Sequence, residues 1–240
     1  MDVIINNTDR ILVVAPHADD ESIGCGGFLS KYGEQCDLLL LTDGRNGHTT
    51  EEYSDSQKLI EIRREEFLNV AKIANVSNVI FLNIEDGKLI ANKPRVYAFN
   101  IIEYDYIFVP NRFESHPDHS VVLSLIKHMK KRQHAKAKIF EYEVWTPLRY
   151  PTWYLDISDE VDKKKIMIQQ HCSQLVDIGY DEKGVALSCY RGMFINTKYA
   201  EAFAYSGFGG VRRMVYQVMP KKAKDFVKTI IGSVKCNKKT

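Results

Sequence analysis

The chain has 240 residues, 45% of them hydrophobic and 27% charged, with a formal net charge of +2. These are ordinary values for a globular protein with a sizeable core, and they exclude a collagen-like, low-complexity or wholly disordered chain. No apolar run approaches the ~20 residues that cross a bilayer, and the opening "MDVIINNTDR" lacks the basic and apolar segments of a signal peptide, so a cytoplasmic location is expected.

In chain order, "ILVVAP" (11–16) reads as a buried strand, followed by "HADDESIGCGG" and a helix beginning near Glu21. The next strand is "CDLLLLT" (36–42), which runs into "DGRNGH". A helix over 54–76 carries Leu59, Ile62, Phe67, Val70 and Ile73 on one stripe, with a Ser/Asp cluster suited to cap its start. Two further buried strands follow, "NVIFLN" (78–83), leading to Asp86 in "IEDG", and "YDYIFVP" (104–110), leading to "NRFESHPDH". Pro117 suits the first turn of the next helix, and "KIFEYEV" (138–144) reads as a fifth strand. His128 and His134, on or just past that helix, read as surface residues. The five cysteines are scattered without a C-x-x-C pair and read as reduced.

Strands alternating with long helices predict an α/β, Rossmann-like, doubly wound and mostly parallel sheet with helices on both faces. In such sheets ligands bind outside the carboxyl ends of the strands, near the topological switch point. The polar segments after each strand therefore converge on one rim.

A strand followed by "GCGG" and a helix invites a dinucleotide-binding reading, but Gly24, Gly26 and Gly27 lack the G-x-G-x-x-G spacing. Asp19, Asp20 and Glu21 also occupy the helix N-terminus where a pyrophosphate would sit, so a nucleotide would meet like charge. Taken alone, these acids could simply cap the helix. The second cluster, "SHPDH" at 115–119, changes the reading: His17, Asp20 and His119 supply two imidazoles and a carboxylate, a set suited to one Zn²⁺ with a position left for water. Asp19 and His116 are then left to act on that water and on the substrate. An unactivated amide needs those functions, namely a nucleophile, charge stabilisation for the oxyanion and a proton for the departing amine.

With these residues in place, the sequence resembles the LmbE/PIG-L family of zinc-dependent N-deacetylases. "PHADDE" keeps His17, Asp19, Asp20 and Glu21 of the first motif with Ala18 in place of a proline, and "HPDH" (116–119) is intact. "IRREEFLNVAKIANVSNVIFLNIEDG" and "YLDIS...K...HCSQ" resemble later segments, so the likeness runs from about residue 11 to about 205. The resemblance implies hydrolysis of an N-acetylated, N-acetylglucosamine-type sugar, with His17, Asp20 and His119 on zinc and Asp19 as general base. It further implies His116 as the group that protonates the amine or stabilises the oxyanion, with Asp118 orienting His116 or acting only as a first-turn helix acid. Arg63 and Asp86 match positions that contact sugar hydroxyls, a helix salt bridge being the alternative for Arg63. His48 lies in a loop that commonly carries Thr-x-Gly-Glu, where "TDGRNGH" has Arg45 instead of the glutamate; this departure bears on substrate identity. Alternatives that keep the site are an amidase for a larger acyl group or a thiol-sugar conjugate, and a non-catalytic sugar- or lipid-binding protein that retains the metal.

Residues 1–210 are expected to form this domain and residues 211–240 a basic tail, with nine Lys or Arg against one Asp. Val211, Met214, Val215, Val218 and Met219, and beyond Pro220 the set Phe226, Val227, Ile230, Ile231 and Val234, follow helical spacing. Such stripes pack on the domain, pack on a second copy in a homo-oligomer, or lie peripherally on an anionic membrane face. The tail has few aromatics for base stacking and no recognised motif, so no nucleic-acid partner is expected.

Overall fold

Five consecutive apolar residues at Ile11–Ala15 form β1, and their alternation divides the interior into two cores. In this computed structural model, which describes residues 3–47, 50–175 and 179–207 together with Met219 and Ala223, Ile11, Val13 and Ala15 point to one face of a sheet and Leu12 and Val14 to the other. The elements that follow β1 are α1 (Asp20–Tyr32), β2 (Cys36–Thr42), α2 (Ser56–Ala74), β3 (Asn78–Ile84), α3 (Lys93–Tyr97), β4 (Tyr106–Pro110) and α4 (Pro117–Arg132). Then come β5 (Lys138–Tyr142), β6 (Trp153–Asp156), α5 (Val161–Gln169), α6 (Tyr180–Gly192) and β7 (Ala200–Tyr205). Phe28 and Leu29 of α1, Phe67 and Val70 of α2, and Met167 and Ile168 of α5 fill the first core. Val96 of α3 and Val122, Ile126 and Met129 of α4 fill the second.

The described strands form a seven-stranded sheet in the order β3-β2-β1-β4-β5-β7-β6. Strands β1 to β5 pair in parallel, whereas β7 runs antiparallel to β5 and β6. The doubly wound architecture read from the sequence is therefore present, with an antiparallel extension at one side. The chain winds outward from β1 in both directions, through β2 and β3 and through β4 and β5, so the switch point lies between β1 and β4. The loops leaving these two strands carry His17 to Asp20 and His116 to His119.

One expectation changes. The run at 78–83 is an edge strand, half exposed rather than buried, because among the described strands β3 pairs only with β2. The glycines of "GCGG" form no ligand loop: they lie inside α1, where a Cβ on Gly24 would run into the Tyr142 ring and one on Gly27 would sit 2.5 Å from Ile157. The same stretch admits a carboxylate from β7, since the backbone N–H groups of Gly27 and Phe28 each donate to Glu201 at 2.8 Å, with Lys164 Nζ 2.7 Å from that carboxylate. No helix among the described residues is long and apolar enough to cross a membrane. The helices expected in the basic tail lie outside the described residues, apart from Met219 and Ala223.

Candidate metal and catalytic site

The loop after β1 is held by its own backbone. Thr42 donates to the Pro16 carbonyl through both N–H (3.0 Å) and Oγ1 (2.7 Å), and the His17 N–H donates to Asp20 Oδ2 (2.8 Å). Asp19 precedes α1 at φ 145°, ψ −30°, and its side chain makes no capping bond to the helix. A non-glycine residue in this region costs roughly 1–3 kcal/mol and persists only where its surroundings fix it. The fixing contacts are the Asp19 carbonyl, which accepts from Ser22 N (3.1 Å), Ile23 N (3.0 Å) and Ser22 Oγ (2.9 Å), and the Asp19 N–H, which donates to Glu21 Oε2 (3.1 Å). Asp19 stands at the N-cap position without capping through its side chain, whose Oδ2 lies 3.6 Å from Arg63 Nη2.

Three of the singled-out side chains share one small space. His17 Nδ1 and His119 Nε2 lie 3.0 Å apart, and Asp20 Oδ2 lies 3.3 Å from His119 Nε2 and 3.5 Å from His17 Nδ1. Tetrahedral zinc with ligand bonds of about 2.0–2.1 Å has donor–donor edges of about 3.3–3.4 Å, so these residues fit the ion. All three side chains are buried. His116 joins the cluster, with one ring nitrogen each of His17, His116 and His119 within 4.8 Å of the others.

Behind His17 stand two more carboxylates. Its Nε2 is 3.0 Å from Asp86 Oδ1 and 3.7 Å from Asp118 Oδ2, the arrangement that fixes a ligating imidazole's tautomer and orientation. Asp86 Oδ2 accepts from Asn46 N at 3.3 Å, and Asp118 Oδ2 accepts from Gly87 N at 2.8 Å. Asp118, in the first turn of α4, places its carboxylate near His17, while its backbone N–H donates to His116 Nδ1 (3.2 Å). Asp86, which the resemblance matches to a sugar-contacting position, lies against His17. With Nδ1 accepting, a neutral His116 carries its proton on Nε2.

The charges are strongly coupled. Burial disfavours a charged His17, yet Asp118, Asp20 and Asp86 hold its pKa well above the ordinary value. Burial and the neighbouring His17 and His116 depress His119 to about 4. For Asp20 burial is outweighed by His119 and His17, which lower its pKa to about 2, whereas burial, with Asp20 adding to it, pushes Asp19 up to about 7 against the pull of Arg63. His116 is lowered, first by burial and then by His17.

Arg63, on α2, is buried and points at this loop. Its Nη2 donates to the Ala18 carbonyl at 2.8 Å and lies 3.6 Å from Asp19 Oδ2, so its ionic partner is Asp19 rather than a glutamate of its own helix. Gly44, at φ +67°, permits this approach, since a Cβ there would sit 2.9 Å from Arg63 Nε. Arg45, the departure noted in this loop, is paired with Asp43 at 2.6 Å, with Glu85 at 4.0 Å. His48 lies outside the described residues. His128 is exposed and stacked on Tyr97, and His134 is exposed at φ 53°, as expected for surface residues.

Three residues at the site were not singled out from the sequence. His171 Nε2 is 2.9 Å from Glu21 Oε1, tying the start of α1 to the "HCSQ" segment. Glu114, buried two residues before His116, accepts from the N–H groups of Val144, Trp145 and Thr146 at 3.0–3.3 Å. Trp145 lies against His119 and His116, with ring centroids 5.2 and 5.8 Å away. Glu21, Glu114 and His171 stood inside quoted motifs, but nothing local marks their long-range partners; Trp145 carried no signal.

Residues 12–130, which include every ligand candidate and His116, match the PIG-L family model, described as GlcNAc-PI de-N-acetylase. Over these residues the chain is similar to the LmbE/PIG-L family. It is 26% identical over 228 residues to the diacetylchitobiose deacetylase of Thermococcus kodakarensis, covering 83% of this chain and 84% of that protein. The fold is shared with the N,N'-diacetylchitobiose deacetylase of Pyrococcus horikoshii (TM-score 0.72, 24% identity, 89% of this chain and 87% of that one). It is also shared with GalB, the 4-carboxy-2-hydroxymuconate hydratase of Pseudomonas putida (TM-score 0.71, 20% identity, 84% and 97%). A hydratase on the same fold means that the chemistry must be argued from the site.

Proposed function

We propose that the protein is a zinc-dependent N-deacetylase that hydrolyses the acetamide of an N-acetylglucosamine-type sugar to acetate and the free amine. The observation that carries this reading is the convergence of His17 Nδ1, His119 Nε2 and Asp20 Oδ2 within 3.0–3.5 Å of one another, beside a strained, buried Asp19. His17, Asp20 and His119 would hold the ion, with Asp86 and Asp118 keeping His17 in the tautomer that offers Nδ1. Bound there, zinc supplies polarisation of the amide carbonyl and acidification of a water to a pKa of about 7. The carboxylate of Asp19 accepts the proton that water loses as its oxygen attacks the carbonyl carbon. The Arg63 guanidinium stands beside that carboxylate. His116, fixed through Nδ1, presents Nε2–H to the developing oxyanion and to the nitrogen as the carbon–nitrogen bond breaks. The proton taken by Asp19 ends on the amine. A non-catalytic binding role would need neither Asp19 held against its backbone preference nor an oriented His116.

The test is amine release from a panel of N-acetylated sugars by purified protein before and after chelation. Activity on N-acetylglucosamine-type sugars that disappears with chelator and returns with zinc is expected. Release of a larger acyl group in preference to acetate would replace this reading with the amidase alternative.

A further inference from the structure

Trp145 is an anomaly beside a polar, buried site: its side chain lies against two of the site histidines, yet the residue is 46% exposed. It is not a loose surface residue. Glu114 accepts from the N–H groups of residues 144–146, and Asn111 Nδ2 bridges the Thr146 carbonyl (2.7 Å) and Glu114 Oε1 (2.9 Å), so the loop after β5 is pinned to the loop after β4. Beyond its one N–H, the indole offers a ligand an apolar π-face.

A pyranose has the complementary surface in the C–H groups of its ring faces. We propose that Trp145 is the platform on which the acetamide-bearing sugar ring stacks. The proposal rests on the deacetylase reading for the identity of the acetamide, and on Trp145 alone for the stacking. A rigidly held platform loses little freedom on binding, which favours affinity.

The chain has two tryptophans, and the other, Trp153, is only 4% exposed, so sugar-dependent change in indole emission reports on Trp145. Zinc-loaded Asp19→Asn protein, titrated with N-acetylglucosamine, should show a saturable change in emission. The Trp145→Phe variant should lose that signal while keeping most of the affinity in steady-state assays. In otherwise wild-type enzyme, Trp145→Ala should raise KM for N-acetylglucosamine by about tenfold, with a small change in kcat. Unchanged KM in Trp145→Ala, with wild-type turnover intact, would overturn the stacking proposal and leave the deacetylase reading standing. Saturable emission change without amine release from any N-acetyl sugar would do the reverse.

Discussion

At Asp19 the chain sets backbone preference against function. Two neighbouring aspartates, chemically the same, are separated by one backbone conformation: Asp20 turns inward between His17 and His119, while Asp19, at φ 145°, is held near Arg63. Asp19→Asn should therefore bind zinc as the wild type does but lose turnover by on the order of 10²–10⁴-fold, the usual contribution of a positioned base. His119→Ala removes a ligand and should lose metal and activity together. Metal analysis alongside kinetics separates the two, and near-wild-type turnover in Asp19→Asn would remove the base from the mechanism. Neither role distinguishes these residues by type; distance does.

Helix α1 shows how an element carries the site. Its first residue is a proposed ligand, and its glycines let the helix lie close to Tyr142, Lys164 and Ile157. At Gly24 a methyl group would meet the Tyr142 ring and sit 2.6 Å from the Glu143 carbonyl oxygen, a backbone atom that cannot swing aside. Replacing glycine by alanine inside a helix ordinarily gains up to about 1 kcal/mol, but overpacking a filled interior costs about 1–3 kcal/mol. Gly24→Ala is thus expected to lower the melting temperature by several degrees, read by thermal denaturation. An unchanged or raised value would show that α1 has room to move. The neighbouring Glu201 carboxylate, set on the Gly27 and Phe28 N–H groups and matched by Lys164, makes the helix and β7 one unit.

For the whole molecule, the apolar stripes that the sequence spacing predicts in residues 211–240 fall outside the described residues, apart from Met219. If the tail is a peripheral anchor, full-length protein should sediment with vesicles containing anionic lipid, more weakly as salt rises, and truncation after Met219 should abolish this while leaving turnover of soluble sugars intact. Protein that stays in the supernatant at low salt assigns the stripes to packing on the domain or on a second copy. What the sequence determined by itself was the alternation of apolar runs with amphipathic helices, and so the doubly wound sheet, because periodicity is local. It also marked His17, Asp19, Asp20, His116 and His119, because loops that follow strands of such a sheet reach the same rim whatever their separation along the chain. Only the tertiary structure decided that β3 is an edge, that β6 and β7 extend the sheet antiparallel, and that the glycines of "GCGG" serve packing. It also decided that Asp86 and Asp118 stand behind His17, that Arg63 faces Asp19, and that Glu114 pins Trp145. Each of these depends on which side chain another segment presents at a distance of about 3 Å, for which neither propensity nor spacing along the chain carries a signal.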